Sequence, residues 1–161
     1  EGTGAGVIFG ATGGVMEAAL RSAYYIIKGE NPPAEAFTAV RSQGFNENDG
    51  VQEANFQIND ITVRTAVVSG LGNTRELIRK IESGVVHYDF VEVMACPNGC
   101  INGGGQPSSN HEIVARRSED LYSNDRLQSM RHSEMNPFVK RAYKKIIKDA
   151  GHRLLHVHYH K

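Results

Sequence analysis

The chain has 161 residues, of which 40% are hydrophobic and 22% charged, which suits one compact domain with a real core. Its 18 Lys and Arg residues balance its 18 Asp and Glu residues, so the net charge does not indicate binding to nucleic acid or to a membrane surface. No apolar run approaches the roughly 18 residues of a membrane span and no signal peptide is evident, so we expect a cytoplasmic protein.

Cysteine and glycine usage is less ordinary. The 17 glycines concentrate in two loops, and the only two cysteines lie close together. Two cysteines cannot form the disulfide framework of a small secreted domain, so the pair indicates cofactor or redox chemistry instead. The sequence starts at Glu1 and enters a glycine-rich loop at once, which suggests a segment of a longer chain.

Residues 1–107 show the pattern of an α/β lobe. In chain order, the sequence predicts a helix over 15–27, strands over 51–58 and 61–68, a helix over 74–82 and a buried strand over 90–94. Asn59-Asp60 indicates a hairpin turn, and the strand–helix–strand order after it indicates a crossover connection. Glu17 and Glu92 are expected to be structural carboxylates, although either could reach a polar loop.

The rest of the chain is helical in character. Two helices are predicted, over residues 118–130 and 138–148, the second with Pro137 in its first turn. We therefore predict an α/β fold: one mixed-sheet lobe with flanking helices over residues 1–107, followed by a C-terminal helical tail over residues 108–161.

The segment ACPNGCINGGGQP follows the predicted buried strand and carries both cysteines, Cys96 and Cys100, just before Gly103-Gly104-Gly105. Thiolates bind iron–sulfur clusters well because sulfur is a soft donor. Glycines allow the backbone to approach closely and to direct N–H groups at cluster sulfurs. The competing interpretation is a pair of core cysteines on a turn, or a disulfide. The strand before the pair and the triple glycine after it favour a cluster.

Three other patterns allow a functional and a plainer interpretation. The glycine loop over residues 2–14 precedes a helix as a phosphate-binding loop does, but it lacks a Walker lysine and GxGxxG spacing. His156, His158 and His160 alternate in the tail and are either zinc or nickel ligands or solvated side chains. The basic face of residues 140–148 is either a solvated helix face or a docking surface for an electron donor.

The run VEVMACPNGCINGGGQP closely resembles the third cysteine motif of the iron-only (iron–iron) hydrogenases. GAGVIFGATGGVMEAALR resembles the loop and helix that precede this motif in the family, and VVSGLGNTRELIRKIESG resembles the strand and helix that lead into it. NPFVKRAYKKIIKDAGHRLLHVHY resembles the family's C-terminal small-subunit segment. The resemblance therefore extends over nearly the whole chain. It departs at Asn98, where the family usually has glycine, but asparagine tolerates positive φ better than most residues.

The resemblance implies a role for both cysteines in the active-site H-cluster. Cys96 would ligate a 4Fe–4S cubane, and Cys100 would ligate the cubane and bridge it to a catalytic diiron unit. Met94 would lie against that diiron unit as a soft, apolar wall, which makes Cys100 and Met94 the implied catalytic residues. The residues implied to bind the cofactor through the pocket wall are Phe9, Gly10, Gly103 and Gly104.

The same resemblance implies that part of the site lies elsewhere. Two further cysteine motifs of the family have no match here; they would supply the other two cubane cysteines, a lysine near a cyanide ligand and the proton-passing cysteine. We therefore expect about half of a catalytic domain, whose partner is the N-terminal half. We expect this chain alone to hold no intact cluster and to self-associate through its exposed pocket wall.

The implied function is that of an oxidoreductase. The parent enzyme would reversibly reduce protons to hydrogen, with electron transfer from ferredoxin. The alternative is a non-catalytic, hydrogenase-like iron–sulfur protein that serves in cluster assembly or hydrogen sensing, and the isolated chain would be inactive in either case.

Overall fold

The fold is built on a three-stranded mixed sheet with helices on both faces. The computed structural model describes residues 2–41, 50–107 and 109–157. The helices and strands are α1 (Gly4–Ile8), α2 (Gly14–Lys28), β1 (Val51–Ile58), β2 (Ile61–Ser69), α3 (Leu71–Glu82), β3 (Phe90–Met94), α4 (His111–Leu127), α5 (Pro137–Ala142) and α6 (Gly151–Leu155). The shorter helical turns are Thr38–Val40, Cys100–Asn102, Ser133–Met135, Tyr143–Ile147 and Lys148–Ala150, of which Tyr143–Ile147 is π-helical.

The sheet has the order β1-β2-β3. β1 and β2 form an antiparallel hairpin in which Ile58 pairs with Ile61, and Asn59 adopts the positive φ of 53° that a two-residue turn requires. β2 and β3 are parallel, with Val67 opposite Glu92, and α3 provides the crossover between them. The predicted α/β fold with one mixed sheet, flanking helices and a helical C-terminal stretch is therefore confirmed.

The predicted strands agree with the structure to within one residue, but several helix ends differ. α3 begins at Leu71, three residues earlier than predicted, directly after Gly70 with a φ of 87°. α4 covers His111–Leu127 instead of residues 118–130, because the Asn110 side chain caps its start by accepting a hydrogen bond from the Ile113 N–H at 3.0 Å.

The last predicted helix, over residues 138–148, is interrupted in the structure. α5 begins at Pro137, as its first-turn proline suggested, but regular α-helix ends at Ala142 and a π-helical turn follows. Lys148, with a φ of 41°, leaves the helical region before α6 starts. Periodicity alone does not reveal such a change of hydrogen-bonding pattern.

Three apolar clusters hold these elements together. Met16 and Leu20 of α2 pack on one face of the sheet, and Leu77 of α3 packs on the other. A third cluster lies away from the sheet and joins α1 to α4, with Tyr122 on α4 and Ile101 from the loop after β3 among its members. The loop that carries the cysteines is thus anchored in the core by the residue that follows Cys100.

A buried ionic cluster joins α2 to α4. Arg21 donates two hydrogen bonds to the Asp125 carboxylate, at 2.8 and 2.7 Å, and one to Glu17 at 2.6 Å. Arg41 also donates to Glu17, at 2.6 and 2.8 Å, and Arg131 donates to Asp125 at 2.7 Å. Burial acts to raise the pKa of Asp125, but its arginine partners outweigh burial and hold that pKa below its usual value. Glu17 therefore has the structural role expected from the sequence.

Candidate metal centre

The cysteine segment begins where β3 ends and is fixed there by the loop after β2. Gly70 donates its N–H to the Met94 carbonyl at 2.8 Å, and the Asn98 N–H donates to the Ser69 hydroxyl at 3.0 Å. Asn98 has a φ of 67°, which confirms the conformation expected for an asparagine at this position. Ser69 was not predicted as a contact of the segment, because a hydroxyl at the end of a strand gives no sequence signal of its partner.

Cys96 and Cys100 lie on consecutive turns of one short loop. The Gly99 N–H donates to the Cys96 carbonyl at 2.9 Å, and the Gly103 N–H donates to the Cys100 carbonyl at 3.1 Å. Both cysteines are free thiols; Cys96 is half-buried and Cys100 is exposed. A side-chain Cβ at Gly103 would lie 3.4 Å from the Cys96 Sγ, so the glycine keeps open the space beside that sulfur. Gly104 has no neighbour within 4 Å of that position and lies in open space.

The N-terminal glycine loop packs directly against the cysteine loop. The Ile101 N–H donates to the Gly10 carbonyl at 3.1 Å, and the Thr12 N–H donates to the Asn98 carbonyl at 3.4 Å. At Gly99, which has a φ of 87°, a Cβ would lie only 2.7 Å from the Gly10 oxygen. The close approach of the two loops therefore requires glycine at this turn.

The predicted pocket-wall residues differ in exposure and in the elements that they contact. Phe9 is 47% exposed, and Met94 is half-buried at the end of β3. Gly10 faces α4, since a Cβ there would lie 2.9 Å from the Leu121 Cδ1. Sequence reasoning placed Gly10 in a pocket wall; in the structure its carbonyl holds the cysteine loop and its Cα packs against α4.

Glu92 connects the strand below the cysteines to the start of α2. Its carboxylate accepts hydrogen bonds from the N–H groups of Gly13, at 2.8 Å, and Met16, at 2.6 Å. Burial raises the pKa of Glu92, and the two N–H donors act in the opposite direction. Glu92 thus has the structural role expected from the sequence, and it fixes the glycine loop relative to β3.

Arg117 of α4 binds the backbone of the cysteine loop, a contact that the sequence did not predict. Its guanidinium donates to the Ile101 carbonyl at 2.8 Å and to the Pro107 carbonyl at 3.3 Å. Ser109 also donates to the Asn102 side chain at 2.8 Å. Arg117 of α4 therefore holds the exit of the cysteine loop through hydrogen bonds to its backbone, and Ser109, just before α4, adds one to a side chain.

Other candidate sites receive no support from the described part of the chain. No group of three or more His, Cys, Asp or Glu side chains there could hold a metal ion. His156 is exposed, whereas His158 and His160 lie outside the described residues, so the tail metal site stays a hypothesis. In residues 2–41, 50–107 and 109–157, no helix is long and apolar enough to cross a bilayer.

The two thiols and the glycines beside them could provide two of the four ligands of an iron–sulfur cluster. A 4Fe–4S cluster takes four thiolate ligands, and the chain has two cysteines in all. Cys96 and Cys100 are followed by three consecutive glycines, and Gly103 places no side chain beside the Cys96 sulfur. The donor set therefore fits such a cluster only as two of its four ligands.

Comparison with known proteins identifies the family. Residues 1–104 match the model of the iron only hydrogenase large subunit, C-terminal domain, and residues 111–161 match that of the iron hydrogenase small subunit. The chain is 41% identical to an NADP-reducing hydrogenase subunit of Solidesulfovibrio fructosivorans, covering 99% of this chain and 27% of the relative. It is 32% identical to the cytosolic iron-sulfur assembly component 3 of Mus musculus, covering 94% of this chain and 32% of that protein.

Solved structures agree with the sequence matches. An FeFe-hydrogenase from Chlamydomonas reinhardtii superimposes with a TM-score of 0.67 at 35% sequence identity, over 94% of this chain and 45% of that one. The chain thus spans less than half the length of the relatives it matches. With the cysteine loop, the glycine loop and the sheet all in the matched region, the chain belongs to the iron-only hydrogenase family, as the C-terminal domain of its large subunit followed by a small-subunit segment.

Proposed function

We propose that this chain forms one half of the cluster-binding pocket of an iron-only hydrogenase that interconverts protons and hydrogen, with ferredoxin as its electron partner. The observation that carries the proposal is the loop of Cys96 and Cys100. The Gly10 carbonyl and the Ser69 hydroxyl accept hydrogen bonds from N–H groups of this loop, and both thiols are free. Such a rigid pair of soft ligands beside glycines is suited to a cluster of iron and sulfide.

In this proposal each site residue has a separate task. Cys96 and Cys100 would hold the 4Fe–4S cubane, and Cys100 would also hold the diiron unit. Met94 and Phe9 supply apolar surface that limits water at the site, and Gly103 and Gly104 allow the backbone to approach the cluster. The diiron unit supplies the redox chemistry when bound, and the protein orients and encloses it. The two remaining cysteine ligands come from a partner segment that completes the domain.

Replacing the two proposed catalytic residues tests this assignment in a hydrogenase that contains this chain. Cys100→Ala is expected to abolish hydrogen evolution, because it removes the only protein sulfur that joins the cubane to the diiron unit. Met94→Leu removes only the thioether from an apolar wall and is expected to reduce turnover less, so it serves as the matched control. Near-normal hydrogen evolution by Cys100→Ala, measured beside iron content, would show that the assignment is wrong.

The second candidate is a non-catalytic iron–sulfur protein. The relative from Mus musculus, named as a cytosolic iron-sulfur assembly component, matches 94% of this chain at 32% identity, which supports this candidate. Both candidates keep a 4Fe–4S cubane, and they differ in hydrogen turnover. A protein that binds iron through Cys96 and Cys100 yet evolves no hydrogen after maturation with a diiron unit would support the second candidate.

A further inference from the structure

We propose that Arg117 is a positioning residue for the cluster ligands: from the small-subunit segment it holds the cysteine loop closed over Cys96. This inference rests on the proposed function, because it assigns the loop that Arg117 holds as the cluster-binding loop. Arg117 lies on α4 and donates its hydrogen bonds to the backbone of the loop.

Arg117 donates to two main-chain carbonyls, one on either side of the glycine-rich segment. The Ile101 carbonyl, 2.8 Å from Nη1, belongs to the residue directly after Cys100. The Pro107 carbonyl, 3.3 Å from Nη2, lies beyond the last glycine. One planar guanidinium thus binds both ends of residues 102–106, which a point-charge ammonium on a lysine cannot do with the same geometry.

The segment between these two anchors needs such a restraint. It contains Gly103, Gly104 and Gly105, of which Gly105 has a φ of 89°, and glycines lose more backbone entropy on ordering than any other residue. Ile101 anchors the start of the segment in the apolar cluster with α1 and α4. At the far end, Arg117 holds the Pro107 carbonyl directly.

No carboxylate in the described part of the chain is recorded as a partner of Arg117. Its neighbour Arg116 lies on the same helix, is exposed, and has no recorded contact with the loop. The pair therefore offers a matched comparison: the same charge is removed at adjacent positions, but only one side chain binds the cysteine loop. This separates positioning of the loop from a general effect of charge on α4.

Exposure of the two thiols reports directly on the loop. Cys96 is half-buried, with Gly103 beside its sulfur, whereas Cys100 is already exposed. Loosening residues 102–106 should therefore expose Cys96 and change Cys100 little. Global unfolding would also expose Cys96, so a raised ratio indicates local loosening only in a variant whose urea unfolding midpoint equals that of the wild type.

The experiment measures alkylation of Cys96 and Cys100 by iodoacetamide in the metal-free chain, with rates for each site from peptide mass spectrometry. Arg117→Gln is expected to raise the Cys96 to Cys100 rate ratio by about fivefold, since it removes two charge-assisted hydrogen bonds that oppose local opening. Arg117→Lys should give an intermediate ratio, because it retains the charge but has one donor nitrogen in place of the guanidinium fork. Arg116→Gln should match the wild type. Urea unfolding of each variant records global stability.

An unchanged ratio in Arg117→Gln, or the same change in Arg116→Gln, would overturn the proposal. If Arg117→Gln does not fold, Arg117→Lys decides: a ratio equal to that of the wild type overturns the proposal, and a raised ratio supports it. Because no metal is used, this result is independent of whether the loop binds a cluster. Failure of the proposed function would appear separately, as an absence of iron bound through Cys96 and Cys100 in every variant.

Discussion

Replacing Asp125 should destabilise the contact between α2 and α4 more than any surface change on the same helix. Asp125 is 0% exposed and accepts hydrogen bonds from both Nη atoms of Arg21, at 2.8 and 2.7 Å, and from Arg131 at 2.7 Å. Asp125→Asn removes the negative charge and presents an amide N–H₂ to these donors, which leaves Arg21 buried with one remaining acidic partner. Removing one member of a buried ion pair costs about 3–5 kcal/mol.

Urea unfolding of the purified chain followed by circular dichroism measures this cost. With a urea m-value of about 2 kcal/mol/M, the expected loss lowers the unfolding midpoint by about 1.5–2.5 M. Asp120→Asn on the exposed side of α4 is the matched control and should shift the midpoint little. A loss below about 1 kcal/mol for Asp125→Asn, or one equal to that of Asp120→Asn, would refute the reasoning.

A double substitution separates the charge from the packing. Arg21→Met combined with Asp125→Leu removes both charges and fills the space with apolar side chains, so it should be more stable than Asp125→Leu alone.

The pH dependence of stability follows from the lowered pKa of Asp125. The stabilisation by Asp125 is present above its unfolded pKa, about 4, and is lost as the pH falls through the lower folded value. The acid-unfolding limb of Asp125→Asn should therefore be shallower than that of the wild type.

Two other substitutions probe the cysteine and glycine loops. Glu92→Gln should lower the free energy of unfolding by about 1–2 kcal/mol, because the single amide oxygen replaces two carboxylate oxygens that each accept a buried N–H hydrogen bond at the start of α2. Urea unfolding measures this loss, and an unchanged free energy would contradict the contact. Asn98→Gly should leave thermal stability nearly unchanged, whereas Asn98→Ala should cost about 1 kcal/mol or more, since Asn98 has a φ of 67°. Equal melting temperatures for the two variants would argue against that backbone conformation.

The sequence predicted those parts of the molecule that depend on local signals. β2 follows from β-branched residues that alternate with polar ones, and β1 follows from the length of its segment before the Asn59-Asp60 turn. Asn98 was identified from its own tolerance of positive φ. The start of α4 was missed, because it depends on the cap at Asn110. The division of the chain at residues 107 and 108 stays a prediction.

Contacts between distant elements were the part that sequence could not supply. The hydrogen bond from Arg117 to the Ile101 carbonyl depends on how α4 lies against the cysteine loop, and backbone acceptors leave no trace in residue type. The same holds for Arg21 and Asp125, which are 104 residues apart in sequence. A resemblance to a family indicates which residues meet a cofactor, whereas the restraints that hold those residues emerge only from the packed structure.

Iron analysis combined with electron paramagnetic resonance on the reconstituted 161-residue chain tests the central claim most directly. With two cysteines for a cluster that takes four ligands, the chain alone is expected to show no stoichiometric 4Fe–4S signal and no hydrogen evolution. Adding the partner segment with the other two cysteines should restore the signal, and Cys96→Ala should abolish it again. A stoichiometric cluster with hydrogen evolution from the 161-residue chain alone would contradict the account.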